Sequence, residues 1–449
     1  MSIGFDFGTA NCSVAHMDDQ TPVLLALEND QAYIPSTLAA PTRDSVSEHL
    51  FRHRHIEPNG EVGERLLRRS IALNREEDID LQVEDVAFGH AALDVYLSDP
   101  QETYYVKSPK SFLGAMGLHD IQLAFFEDLV CAMMANIKSQ IALSGVDSSN
   151  VVIGRPINFQ GRGGEDSNRQ AEAILRSAAR RVGFRHIEFQ FEPVAAGLEY
   201  ESTLTQDKTV LVVDIGGGTT DCSLIQMGPT WRHKDQRQAS LIAHSGQRVG
   251  GNDLDIHLAF KQLMYPFGYK SQTLSGLEMP MTQFWNPIAI NDVTAQQSFY
   301  ARENLKDLKH MYKNAAQPEK LARLLTVYHE TLGHRVVKNA EDIKIALSEY
   351  PQVTTQLDIV SDQVSLTVER EAMLEAIDAP KRKMMSLVEE ALTQGGVKPD
   401  AVYMTGGSAR SPILRSAVKQ LLPDVPVVSG SYFGSVTAGL ARWSKLCFG

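Results

Sequence analysis

Cysteine is the first scarcity. There are four in 449 residues (Cys12, Cys131, Cys222 and Cys447) and no two form a CxxC pair. That spread excludes a disulfide framework or a thiolate zinc site as the organising device and fits packed thiols in a reducing compartment. Positive charge is the second. Lys and Arg number 43 against 55 Asp and Glu, a net charge of −12. An extended nucleic-acid surface needs a basic face to displace counterions, so no nucleic-acid partner is expected. A local anion pocket stays open, because backbone N–H groups cradle phosphate without net positive charge. No lysine directly follows a glycine, which excludes a Walker-type P-loop. Long apolar runs are also missing. Lys138 breaks the best one, 129–143, and no membrane partner is expected. The opening MSIGFDFGTA has neither the basic start nor the apolar core of a signal peptide. The expectation is a cytoplasmic protein.

What is present is strands alternating with helices, an α/β pattern, in a chain long enough for two to four compact units. The start reads as strand Ile3–Phe7, a glycine turn, and returning strand Cys12–Met17, followed by a short strand at 22–27. Leu129, Met133, Ile137 and Ile141 mark an amphipathic helix, as do Ala171, Ile174, Leu175, Ala178 and Val182. Val151–Gly154 is a buried strand between them, and 160–168 a polar loop. The opening pattern then restarts with Val210–Val213, a glycine turn at 214–219, and Cys222–Met227. Val402–Met404 leads to a third glycine turn, and Ser411-Pro412 offers an N-cap and a first-turn proline. Residues 43–110 and 255–335 are poorly patterned, and Arg65, Arg68 and Arg69 against the acidic run 76–80 read as solvated surface.

The two hairpins form an internal repeat. Ile3–Ser13 (IGFDFGTANCS) matches Leu211–Gly216 and then, past two extra glycines, Thr219–Ser223. One glycine hairpin means only a turn. Two copies of Asp-x-Gly…Thr, each on a β-rich run, point to two related lobes. Chemically, Gly216, Gly217 and Gly218 carry no Cβ to obstruct phosphate and can adopt positive φ. Thr9 and Thr219 add hydroxyls. Asp6 and Asp214, beside the turns, are candidates to hold magnesium through water, the usual mode for this ion on phosphates.

At these residues the chain resembles the nucleotide-binding domain of the seventy-kilodalton heat-shock chaperones (DnaK type), and within them the YegD-type members. The motifs are Gly4–Asn11 (GFDFGTAN), Val151–Pro156 (VVIGRP), Asp166–Ala173 (DSNRQAEA), Glu192–Ala196 (EPVAA), Asp214–Asp221 (DIGGGTTD), Gly250–Asp255 (GGNDLD) and Thr405–Pro412 (TGGSARSP). The resemblance implies an actin-like ATPase fold with ATP, ADP and Mg2+ as ligands. It implies lobe I at 1–203, with insert 41–117 and a return at 428–449. Lobe II is then 204–427, with insert 255–370 and the nucleotide cleft between the lobes. The implied catalytic set is Glu192, Asp214, Asp6 and Thr219, with Glu192 positioning the attacking water. Glu192 also has a plainer reading as a helix-start carboxylate. The implied nucleotide contacts are Gly8, Thr9, Ala10, Gly216, Gly217, Gly218, Thr219, Gly250, Gly251, Asp253, Gly406, Gly407, Ser408 and Arg410. Glu341, Lys344 and Ser348, spaced three and four apart on one helix face, suit the adenosine end. A protein client and a co-chaperone are the implied partners.

Departures from the pattern shape the functional expectation. The family's lysine segment is matched to Gly89–Leu93 (GHAAL), which puts Leu93 where a lysine is called for near the γ-phosphate. On that matching, ATP hydrolysis is slow unless an arginine from 65–69 folds back. Ala10 replaces a threonine, Ile345 the adenine-facing arginine, and Phe433 an aspartate. No apolar-acidic linker, peptide-binding domain or lid follows Gly449, so any client is expected to meet the lobes themselves. Two other functions share the hairpins: an actin-like filament and a small-molecule kinase. The enlarged 255–335 segment speaks against the first, and the lack of a substrate-side carboxylate base against the second. His329–His334 (HETLGH) has one residue too many for a zinc-protease helix, because five residues put the histidines about 140° apart. Cys12 and Cys222 read as packed strand positions, equivalent in the two hairpins.

Overall fold

A computed structural model describes residues 2–99, 102–146, 148–159, 164–232, 234, 237–357, 364–429 and 434–449. It divides into two units, Met1–Arg248 with Met385–Gly449, and Val249–Met384. Phe433 and residues 160–163 of the polar loop lie outside the described residues.

The first unit contains one sheet plan used twice. In the first copy the strands are β1 (Ser2–Phe7), β2 (Asn11–Asp18), β3 (Thr21–Leu24), β4 (Asn150–Arg155) and β5 (His186–Phe191). In the second they are β6 (Lys208–Ile215), β7 (Thr220–Met227), β8 (Leu241–Gln247), β9 (Ala401–Thr405) and β10 (Val427–Ser429). The orders are β3-β2-β1-β4-β5 and β8-β7-β6-β9-β10, each with an antiparallel hairpin and two parallel strands on the far side. β1 and β6 sit centrally, which accounts for their near-continuous apolar runs.

The register corrects the repeat as read from sequence. Phe7 pairs with Cys12 and Asp6 with Ser13, while Ile215 pairs with Thr220 and Asp214 with Asp221. Both connections therefore hold the same number of residues, Gly8–Asn11 and Gly216–Thr219, and there are no extra glycines. Asn11 corresponds to Thr219, Cys12 to Thr220 and Ser13 to Asp221. Cys12 and Cys222 are both buried but are two positions apart in register, so they are not equivalent.

Two helices fill the space between the sheets. Helix α1 (Glu192–Glu201) packs on β6 and β7, helix α2 (Gly434–Phe448) on β1, β2 and β4, and the two pack on each other. The crossing is backbone-close: a Cβ on Gly439 would sit 1.7 Å from the Ala195 carbonyl oxygen. Ser13 Oγ meets Thr437 Oγ1 at 2.6 Å, and the Tyr403 hydroxyl meets Ser435 Oγ at 2.6 Å.

Residues 37–112 form a small sheet, Ala87–Phe88, Thr37–Ala40 and Tyr104–Lys107 in that order, beside helices Ser45–Arg54 and Gly60–Glu76. The buried stripe of the second helix is Gly63, Leu66, Ser70 and Asn74, helically spaced but half polar. Ser70 donates to Asp44 (2.9 Å) and Asn74 to Glu48 (2.6 Å), so these polar groups are buried with partners.

The second unit is mostly helical: Gly251–Leu258, Val293–Tyr300, Arg302–Lys313, Pro318–His329 and Gly333–Glu349, with a hairpin of Gln352–Leu357 and Val364–Glu369. Phe267, Phe284 and Phe299 are among its fully buried side chains.

Candidate functional site

The two hairpin connections are held from behind by different devices. In the first, Ser36 donates its hydroxyl to the Gly8 carbonyl (2.6 Å) and its amide to the Ala10 carbonyl (2.9 Å). In the second, the Gly216 amide donates to the Thr219 carbonyl (2.9 Å), and Ser408 Oγ donates to the Gly216 carbonyl (3.1 Å). Among described residues with positive φ, none belongs to either connection; at Gly8 a Cβ would meet the Asn11 carbonyl oxygen at 2.3 Å, whereas at Gly216 it would make only ordinary contact, 3.5 Å from the Thr219 carbonyl oxygen. Gly406 does need its freedom. Its φ is +87°, and a Cβ there would meet Asp214 Oδ1 and the Ile215 carbonyl, each at 2.5 Å. The segment Gly406, Gly407, Ser408 thus lies directly against the second connection. Arg410 ends the short turn Gly407–Arg410 on the exposed side.

Between the connections lies a cluster of one lysine and four carboxylates: Lys110, Asp6, Glu192, Asp214 and Asp221. Lys110 is 3% exposed, pairs with Glu192, and donates to the Gly154 carbonyl at 3.1 Å. Gly154 leaves room for this, since a Cβ would sit 3.2 Å from Glu192 Cγ. Burial, then the charge of Glu192, pushes Asp6 up to about 7, with Lys110 opposing. The same two causes push Asp221 up to about 7 although it accepts bonds from Thr219 and the Ile157 amide. Asp214 is raised too, by burial first and then by Glu192, Asp221 and Asp6. In all three, burial is the larger cause, and repulsion from neighbouring carboxylates adds to it against the opposing charge of Lys110.

Lys110 corrects the matching at Leu93. Leu93 lies on helix Gly89–Ser98, and the site's lysine comes instead from the turn after Tyr104–Lys107. There Ser108 adopts φ 60° and Pro109 opens a 3-10 turn, Pro109–Phe112, that carries Lys110 inward. The arginines of 65–69 do not substitute for it: Arg65, Arg68 and Arg69 are exposed on helix Gly60–Glu76, and Arg68 pairs with Glu64. The Ser108-Pro109 pair signals a turn. Nothing local signals that its lysine meets a glutamate 82 residues away.

In the second unit Gly250 and Gly251 open helix Gly251–Leu258. Asp253 caps that helix, accepting from the Gly250 amide (2.7 Å), and also accepts from Asn291 (3.0 Å). Lys344 pairs with buried Asp255 at 2.7 Å, Glu341 contacts Lys338 at 3.2 Å, and Ser348 donates back to the Lys344 carbonyl. The Gly250 turn and the 341–348 face thus come together, and Ile345 is 58% exposed on the latter helix. Ser411 stands at the N-cap of helix Pro412–Leu421 but makes no side-chain cap bond.

The residues fit magnesium by the chemistry of the donor set: buried carboxylates in excess over one lysine favour a hard divalent cation. Among the described residues, no three His, Cys, Asp or Glu side chains converge on a direct ligand position. His329 and His334 fall on separate helices, either side of the turn at 330–332. Cys12, Cys131 and Cys222 are buried and Cys447 is exposed, and none is in a disulfide. Burial pushes Cys12 up to about 12. Among the described residues no helix is long and apolar enough to cross a membrane.

A duplicated five-strand plan closing two equal glycine turns on one acidic cluster defines a protein of the actin-like ATPase fold. The Hsp70 protein family model matches residues 126–267 and 314–429. The chain belongs to the Hsp70 family. It is 25% identical over 437 residues to the chaperone protein HscA homolog of Actinobacillus pleuropneumoniae, covering 96% of this chain and 55% of that one. To the chaperone protein DnaK of Thermus thermophilus it is 23% identical over 440 residues, covering 95% and 57%. The chain spans about half the length of the curated relatives it matches.

Proposed function

We propose that this protein binds ATP with magnesium at the paired turns Gly8–Asn11 and Gly216–Thr219, hydrolyses it, and uses the cycle as a chaperone-type switch that opens and closes lobes 1–203 and 204–427. The observation that carries the reading is the Lys110 cluster, one buried lysine among four carboxylates between two phosphate-type turns. Loop amides, with Thr9 and Thr219, hold phosphate oxygens. Asp6 and Asp214 would hold the magnesium ion, which when bound would supply charge neutralisation at the phosphates. Glu192 orients the attacking water and accepts its proton, and Lys110 stabilises negative charge that grows at the terminal phosphate. Gly406, Gly407, Ser408 and Arg410 serve the nucleoside end. Within the second unit, Gly250, Gly251, Glu341, Lys344 and Ser348 are proposed as an adenosine-binding face, while Asp253 positions its own helix. Membership of a chaperone family favours this reading over a filament or a kinase. With Lys110 present, the Leu93 argument for unusually slow turnover falls away.

The test pairs binding with chemistry. Lys110→Met should lower single-turnover hydrolysis by about two to three powers of ten. Calorimetric ATP affinity should change far less, because the turns still hold the ground state. Glu192→Gln should behave likewise, and Leu93→Lys should leave the rate unchanged. Parent-like turnover by Lys110→Met would end the assignment.

A further inference from the structure

Ser36 is fully buried between the bridge residues Ile34–Pro35 and strand Thr37–Ala40. Besides its bonds to Gly8 and Ala10, its carbonyl accepts from the Ser108 amide at 2.8 Å. Its Oγ also lies 3.3 Å from Cys12 Sγ. The Ser36 hydrogen is used on Gly8, so the thiol supplies the proton of that contact. A protonated Cys12, the form burial favours, therefore completes a relay from Cys12 S–H to Ser36 O–H to the Gly8 carbonyl.

The consequence lies in peptide planarity. In a trans peptide the C=O and the following N–H point to opposite sides, and the described chain has no cis bonds. With the Gly8 and Ala10 carbonyls both turned to Ser36, the amides of Thr9 and Asn11 are both turned away from it. Ser108, one residue before the turn that carries Lys110, is held in a left-handed conformation unusual for serine. Its hydroxyl is buried with no partner, and its amide bonds to Ser36.

We propose that Ser36 is a positioning residue that aims the Thr9 and Asn11 amides as a pair of anion donors and ties them to the Lys110 turn. This rests on the nucleotide reading above. It adds that recognition of the phosphate chain, rather than of the nucleoside, depends on a side chain behind the turn.

The experiment measures adenosine, ADP and ATP affinities for the parent, Ser36→Ala, Ser36→Thr and Ser36→Cys. Ser36→Ala should weaken ADP and ATP about tenfold, the loss expected when one hydrogen bond to a charged group is misdirected. Adenosine affinity should be unchanged, and Ser36→Thr should restore the phosphate-dependent part. Ser36→Cys fills nearly the same volume with a weak donor and carries the test if the alanine variant does not fold. An equal loss for all three ligands, or no loss for ADP and ATP, would overturn the proposal. Failure of the parent itself to bind ATP would remove the functional reading, a result distinct from a parent that binds and a variant that matches it.

Discussion

Four carboxylates around one lysine make the site's own acid–base balance a source of instability when nothing is bound. Asp6 and Asp221 are raised to about 7 from 3.8, and Asp214 is raised as well. A carboxyl with a raised native pKa favours folding in its neutral form. Its contribution is full below about pH 4, where the unfolded group also holds its proton, and is lost as pH rises through about 7. In chelator and without nucleotide, the parent should therefore melt at a lower temperature at pH 8 than at pH 5.5. Asp221→Asn should flatten that slope, and magnesium with ADP should flatten it further. A slope identical in parent and variant would mean that Asp221 is ionised in the native protein at both pH values. At this scale the sequence was half informative. Asp6, Glu192 and Asp214 stood in recognisable motifs. Lys110 did not, because its position comes from a left-handed serine and a contact 82 residues distant. Asp221 stood in the second motif, but its pairing with Asp214 appears only once the strands are in register.

Among elements, the crossing of α1 and α2 has the least tolerance. A methyl on Gly439 would meet the Ala195 backbone at 1.7 Å, whereas one on Gly197 would meet the tip of the flexible Met227 side chain at 2.2 Å. Gly439→Ala should cost about 3 kcal/mol or more, because backbone must move, and Gly197→Ala about 1 kcal/mol, because a methionine can swing. Urea denaturation of the two variants checks the ordering. Comparable losses would show that the helices slide freely. The hairpins and the long helices Asp120–Leu143 and Glu165–Arg181 were legible because their buried faces are apolar at regular spacing. Helix Gly60–Glu76 was not, because half its buried stripe is Ser70 and Asn74, whose burial is compensated by Asp44 and Glu48 from elsewhere in the chain.

On the scale of the whole molecule, the second unit is one uninterrupted stretch, Val249–Met384, with its own buried aromatic residues. Expressed alone, residues 249–384 should give a helical circular-dichroism spectrum and a cooperative melt, as a unit with its own core does. A non-cooperative melt would show that its core is incomplete. The first unit is the opposite case. Its strands come from both ends of the sequence, and the surface of β1 and β2 is covered by α2, whose Thr437 reaches Ser13 across 424 residues. A ribosome adds about 5–20 residues per second, so roughly 20–90 s separate the emergence of the first hairpin from that of the helix that covers it. Until that helix emerges, Val152, Val194 and Ala195, which share a core with its Val436 and Leu440, lack their final packing partner. Truncation before residue 434 should accordingly leave a species prone to association, because docking of α2 completes the core of this unit.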